Sequence, residues 1–533
     1  FFFRVDTMAE EGGAAMVKEE SRGGAVHSFA EDEKAAFVQH INSTLGDDPD
    51  LAGVLPLNEA DGSLFEACKD GIILCKMVNK ATPDTIFAKA INLAPKSALH
   101  KIENLNLCIN SAKAIGCVVI NIGATDLLEG KTYLVLGLVW QMIKIQLLAN
   151  VSLRNCPELV VLLKEGEELA DLLKAHPEQI LLRWVNYHLE KSGSPKRINN
   201  LTKDIMDSEA YTILLSQIAP AGTCDMSPMK EGDTKKRAEL MLQEANKIGC
   251  RKFVTPKDVV NGNQKLNLAF VATLFNEYPA LSMTDAKVDF DMAGLDIDAG
   301  DSREERAFRN WMNSLGSDKF VNNLFSDALD GVILLETLDK VEPGSVEWKK
   351  VSKEPKMVFK KVENCNHVVD VSKKMGFHMV NIGGKDIADG NQKLILGVVW
   401  QIMRHHTLGF LNKLHLCGAK VTEAQMVEWA NKEVAAVGSE LRMTSFQDSS
   451  LKSGLFFMQL LKASEPSAIN WDIVTPGVSD EDCETNAKYV LSVARKINCV
   501  VFCLWEDIVE VKPKMITTLV GAIMARTMES RKK

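Results

Sequence analysis

The chain has 533 residues, 25% of them charged and 46% hydrophobic, with a formal net charge of −9. That is the composition of a globular protein with material for several cores, about one domain per 150 residues. The acidic balance argues against a general nucleic-acid binder, which carries a strongly basic domain, and no apolar run reaches the ~18 residues needed to cross a bilayer.

The opening FFFRVDTMAE is apolar for three residues only and lacks the positive segment of a secretory signal, with Met8 a candidate natural start. A soluble, cytoplasmic protein is expected. The twelve cysteines stand mostly inside apolar helical runs, as Cys68, Cys75, Cys108 and Cys117 do, and no CxxC pair exists. Reduced, buried thiols are therefore expected rather than disulfides or metal ligands.

Residues 1–28 are rich in Gly, Glu and Ala without periodicity and read as a disordered tail. A first module, 29–150, opens with Phe37, Ile41 and Leu45 at helical spacing. It continues through LFEACKDGIILCKMVNK and KSALHKIENLNLCINSAKAIG, whose stop is Gly116. It closes on NIGATDLLEGKTYLVLGLVWQMIKIQ, residues 121–146. A second module, 170–280, repeats the plan more weakly, with Lys247-Ile248-Gly249-Cys250 echoing Ala114-Ile115-Gly116-Cys117.

Residues 281–302 hold six aspartates and one lysine and read as an acidic linker. A calcium loop started at Asp289 reaches Gly294 at its sixth position but Gly300 where a glutamate belongs, so the signature fails. The third module, 303–412, copies the first: NIGGKDIADGNQKLILGVVWQIMRHH at 381–406 matches 121–146 at an offset of 260 throughout. The fourth, 420–530, copies the second, and the order A–B–A′–B′ makes the chain two tandem halves.

Each first helix carries an aromatic-x-Asn step: His40-Ile41-Asn42, Trp184-Val185-Asn186, Trp311-Met312-Asn313 and Trp429-Ala430-Asn431. The tryptophans read as core anchors, each burying on the order of 200 Å², and the asparagines are spaced to bond a neighbouring backbone.

With the DGxxL steps at Asp70–Leu74 and Asp330–Leu334 and the helices ending LGLVWQ and LGVVWQ, these patterns resemble calponin-homology domains, all-α modules with four main helices. Two in tandem are similar to an actin-binding domain, and two tandem pairs are similar to the core of the fimbrin/plastin family. The resemblance implies an actin filament cross-linker: a cytoplasmic monomer of the actin cytoskeleton that tethers two filaments. It implies no enzyme activity, cofactor, nucleic acid or membrane insertion. Members usually carry two EF-hands ahead of the first module, where this sequence has about 28 residues. The alternative is an adaptor that binds another cytoskeletal or signalling protein without bundling.

The residues themselves agree on chemistry. GxxxxGK[ST], GxGxxG, HExxH and GxSxG are all absent, and His405-His406 with His415 lack ligand-spaced partners. Leu134, Leu138, Trp140 and Ile143, and their copies Leu394, Val398, Trp400 and Met403, read as core. The resemblance assigns filament contact to the polar remnant of the terminal helices: Lys131, Gln141, Lys144 and Gln146, then Gln401, Arg404 and His405. Lys353, Lys356 and Lys360, at i, i+3 and i+7, form an expected helical stripe with Lys361 beside it. Lys101, with Lys96 and His100, is its weaker counterpart. Such a stripe steers association with an acidic filament and makes it salt-sensitive.

Overall fold

The computed structural model describes residues 16–20, 26–153, 155–164, 166–167, 169–173, 175–285, 302–317, 319–414 and 421–532. Most of the acidic stretch, with Asp289, and His415 lie outside the described residues. Among the described residues, helices account for the regular structure apart from one ribbon, in which β1 (Met16–Glu20) pairs antiparallel with β2 (Val26–Ala30). The expected disordered tail, 1–28, lies mostly outside the described residues, and what is described of it belongs to this ribbon. Neither MVKEE nor VHSFA alternates apolar and polar residues, so period-two patterning does not mark these strands.

Five helices recur in every repeat, short turns aside. Repeat one has α1 (Glu31–Leu45), α2 (Ile72–Ala81), α3 (Ala98–Ala114), α4 (Ala124–Leu128) and α5 (Thr132–Leu148). Repeat two has α6 (Pro177–Lys191), α7 (Glu209–Ile218), α8 (Thr234–Lys247), α9 (Pro256–Val260) and α10 (Gln264–Glu277). Repeat three has α11 (Arg303–Ser314), α12 (Val332–Val341), α13 (Val358–Lys374), α14 (Gly384–Ala388) and α15 (Gln392–Leu414). Repeat four has α16 (Glu423–Ala436), α17 (Leu455–Ser464), α18 (Asp480–Lys496), α19 (Trp505–Val509) and α20 (Pro513–Lys532).

The aromatic-x-Asn step is a clamp used four times. Asn42 Nδ2 donates to the Leu57 carbonyl at 2.9 Å and its Oδ1 accepts from the Leu57 amide at 2.8 Å. Asn186 holds Ile198, Asn313 holds Val321 and Asn431 holds Met443 in the same two-bond way. One amide side chain thus satisfies both backbone groups of a residue in the connection that follows the first helix. The aromatic partners divide. Trp184 and Trp311 are buried, whereas His40 and Trp429 are half-buried, as are Trp140 and Trp400 of the terminal helices. Trp140 stacks on Phe37 at 5.9 Å and Trp400 on Phe308 at 6.4 Å.

A second clamp explains the DGxxL step. Asn104 donates to the carbonyls of Asp70 and Asn92, and Asn364 donates to those of Asp330 and Ser352. This draws the third helix against the start of the second so closely that a Cβ at Gly71 would lie 2.8 Å from Asn104 Cβ. Gly71 also sits at φ 78°, where glycine is unstrained.

The chain divides into two compact units, one holding residues 1–68 and 130–297 and the other 69–129 and 298–533. In the first unit α5 packs against α1 and α10, with Asn276 donating to the Leu147 carbonyl. Lys257 pairs with Asp32 and Lys265 with Glu33.

In the second unit α3 of repeat one lies along α18 of repeat four. Asn110 donates to the Arg495 carbonyl at 3.0 Å and to Asn498 Oδ1 at 3.1 Å. The buried Arg495 donates to the carbonyls of Thr85 and Val501, and burial pulls its guanidinium down to about 10. Lys496 bonds the Ala90 carbonyl and Asn92 Oδ1 and faces Glu103 at 3.6 Å. Asn310 of α11 donates to the Ala114 carbonyl, so the end of α3 also meets repeat three. The second pair is bolted by Arg303–Glu510 and Lys514–Glu304.

Candidate functional site

The polar positions of the terminal helices turn out to hold the fold together. Lys144 of α5 pairs with Glu178 of α6 at 2.6 Å. Gln146 bonds His40 at 2.9 Å, and burial lowers the pKa of that imidazole. Lys131 is the N-cap residue of α5, and Gln141 is half-buried. In the third repeat Gln401 accepts from the His378 amide and donates to its carbonyl, pinning that loop from both sides. Arg404 pairs with Glu423 of α16 at 3.0 Å. His405 meets Phe377 edge-on at 5.2 Å and stands 3.8 Å from Glu342. Lys144 and Arg404 are thus inter-repeat ties, a role their sequence position does not reveal.

The helical lysine stripe is not formed as expected. Helix α13 begins at Val358 with Met357 as its N-cap, so Lys353 and Lys356 precede it, and Lys360 and Lys361 lie in its first turn. Pro355 is the physical reason, since the residue before a proline is pushed out of the α region and the ring removes a donor. The lysines still share one neighbourhood. Lys353, Lys356 and Lys360 are exposed and Lys361 is half-buried. Lys353 Nζ lies 5.8 Å over the Trp348 ring, whose Nε1 is anchored on Asp339 at 3.0 Å. Lys360 Nζ lies 5.2 Å over the Phe359 ring and pairs with Glu363. In repeat one Lys96 is exposed and Lys101 half-buried. Lys101 also lies near Asp70, whose carboxyl is raised chiefly by burial.

Sequence reading passed over the residues between those lysines. Met357, Val358 and Phe359 are 62%, 74% and 54% exposed. Their signal is an apolar triplet one turn ahead of the buried register that starts at Asn364 and Cys365.

Among the described residues no three or more His, Cys, Asp or Glu converge on a metal-sized site, and no helix is long and apolar enough to cross a membrane. The described cysteines are free and, Cys224 excepted, buried. Burial pushes the Cys499 thiol up to about 12.

Four segments match the calponin homology (CH) domain model: 31–147, 175–280, 302–408 and 420–529. The chain is 45% identical to Fimbrin-4 of Arabidopsis thaliana over 535 residues, spanning 99% of this chain and 82% of that protein. It is 47% identical to Plastin-3 of Homo sapiens over 543 residues, spanning 99% and 85%. It superposes with a TM-score of 0.80 and 40% identity on a crystal structure titled as the actin-crosslinking core of Schizosaccharomyces pombe fimbrin, covering 93% of this chain and all of that one.

Proposed function

The chain belongs to the fimbrin/plastin family, it binds actin and cross-links filaments through tandem CH domains, and we propose that each pair of repeats carries one filament site. The observation that carries this is the run of four CH domains along the chain, together with its superposition on an actin-crosslinking core over 93% of its length. A single protein with two sites joins two filaments as a monomer. If both sites settled on one filament, the second would bind at an effective concentration near millimolar and no bundle would form.

For the first pair we place Lys101, Lys131, Gln141, Lys144 and Gln146 at or beside the contact. For the second we place Lys353, Lys356, Lys360, Lys361, Gln401, Arg404 and His405 there. The exposed lysines carry the attraction, because an acidic filament meets them in water and salt weakens it. Lys144, Gln146, Gln401 and Arg404 shape the surface through the partners they hold. The reading makes the chain a binding protein of the cytoplasm rather than an enzyme, with no cofactor, nucleic acid or membrane insertion involved.

Co-sedimentation with actin filaments tests this. The chain should carry filaments into a low-speed pellet. Binding at high speed with filaments left in the low-speed supernatant would favour an adaptor that decorates filaments without joining them.

A further inference from the structure

We propose that Ser194 is a phosphorylation site read by a proline-directed serine/threonine kinase, and that Arg197 receives the phosphate once it is attached.

A kinase of this class selects a proline directly after the serine, by its apolar ring and missing N–H, and a cation three places on, which pairs with an acidic pocket. The chain has five Ser/Thr-Pro steps, beginning at Thr82, Ser194, Ser227, Thr255 and Thr475. Only Ser194-Pro195-Lys196-Arg197 and Ser227-Pro228-Met229-Lys230 carry the distal cation.

The structure separates these two. Ser227 opens the 3-10 turn Ser227–Lys230, in which Pro228 is buried, and its amide donates to Asp225 Oδ1 at 2.6 Å. That proline is out of reach, and a phosphate on Ser227 would face the Asp225 carboxylate. Ser194 lies in the connection after α6. Residues 194–198 belong to no helix or strand, Ser194 is half-buried, and Pro195 and Arg197 are exposed. The proline itself biases Ser194 toward the extended backbone that a kinase cleft accepts. The connection is tied at both ends, by the Ser194 amide on the Leu189 carbonyl at 3.1 Å and by the Asn186 clamp on Ile198. The four residues a kinase must read are therefore presented on a folded repeat, with no helix to unwind.

A receiver for the phosphate is already in place. Arg197 Nη1 donates to the Ser194 carbonyl at 2.8 Å and to the Lys196 carbonyl at 2.7 Å, so the guanidinium folds back on the serine's own backbone. Its contact with Glu190, at 3.4 Å, is exposed and weak. The opposing influence is the C-terminal end of α6, whose dipole disfavours an anion. Solvent screens that dipole, whereas a guanidinium–phosphate bond is direct, so the cation prevails. In the transfer the γ-phosphoryl group of ATP passes to Ser194 Oγ, the hydroxyl proton goes to the base of the kinase, and ADP leaves.

Repeat four supplies an internal control. Its matched connection reads Gly438-Ser439-Glu440-Leu441-Arg442, and Gly438 and Gly193 share a positive φ. Ser439 Oγ accepts from the Leu441 amide at 3.3 Å, as Ser194 Oγ accepts from the Lys196 amide at 3.2 Å. Serine, local bonding and distal arginine recur, and glutamate stands where the proline was.

The full chain, incubated with a kinase of the cyclin-dependent class and magnesium ATP and mapped by mass spectrometry, tests the site. Phosphate should accumulate on Ser194 and not on Ser227 or Ser439. Pro195→Glu copies the repeat-four connection, so circular dichroism should match the parent while the rate at Ser194 falls by about tenfold or more. In the phosphorylated chain, a phosphorus NMR titration should place the phosphate below its ordinary second pKa of about 6. Arg197→Ala, phosphorylated to the same extent by longer incubation, should return it there.

An unmodified Ser194, equal labelling of Ser439, or an undiminished rate in Pro195→Glu overturns the site. A phosphate that titrates at the same pH with and without Arg197 overturns the receiver.

Discussion

Helices α3 and α13 are the same helix in repeats one and three, yet their outer faces differ. Leu107, Asn110 and Ala114 of α3 are buried, and α18 packs along that helix. At the matched positions of α13, His367 is half-buried while Asp370 and Lys374 are exposed. The inner faces barely differ: Asn104 and Asn364 make the same clamp and Cys108 and Val368 are both buried. One helix thus serves the repeat with its inner face, and its outer face is free to become either an inter-repeat joint or an open surface. The pairs Leu107/His367 and Ala114/Lys374 record which copy did which.

The largest expected effect breaks the covered face. Leu107→Ala should cost about 2–5 kcal/mol through the cavity it leaves, while His367→Ala should stay within about 0.5 kcal/mol. Chemical denaturation of the full chain measures both, and equal costs would dissolve the distinction. Asn110→Ala should cost about 1–3 kcal/mol, because the Arg495 carbonyl and Asn498 lose their donor in a buried place. Asp370→Ala should be close to neutral.

The two units should also answer pH with opposite signs. Burial pushes the Asp507 carboxyl of the second unit up to about 6. A raised folded pKa contributes stability that is present below the ordinary carboxylate range and lost as pH rises through about 6. Burial pulls His188 of the first unit down to about 4, against the weaker opposing bond to the Pro279 carbonyl. That contribution is present above pH 6.5 and lost as pH falls toward 4. Asp507→Asn should flatten the melting profile of its unit between pH 4 and 6 by about 2 kcal/mol at most. An unchanged profile would count against the burial account. The smallest effect concerns the open face alone: Lys356→Glu should leave melting unchanged and make the salt slope of filament binding shallower.

Much of this architecture was legible because repetition supplies its own control. A 260-residue self-match separates what every copy needs from what one copy has, and the four aromatic-x-Asn steps marked the backbone clamp before any coordinates. The site was less legible. Lys144 and Arg404 look like surface charges until Glu178 and Glu423 are found opposite them, since ion-pair partners distant in sequence leave no periodic trace. For that reason Lys144→Glu is a poor probe of filament contact: it would also set two carboxylates against each other. The lysine stripe failed because spacing was read as helix through Pro355, and the exposed triplet was missed because apolar residues beside a helix read as core.

The central claim is two filament sites in one chain, and it is tested most directly by reversing one of them. In the full chain carrying Lys353→Glu, Lys356→Glu and Lys360→Glu, filaments should still bind the protein at high speed but no longer pellet at low speed. Undiminished bundling would show that this surface is no filament site, and simultaneous loss of binding and bundling would show that the chain has one site rather than two.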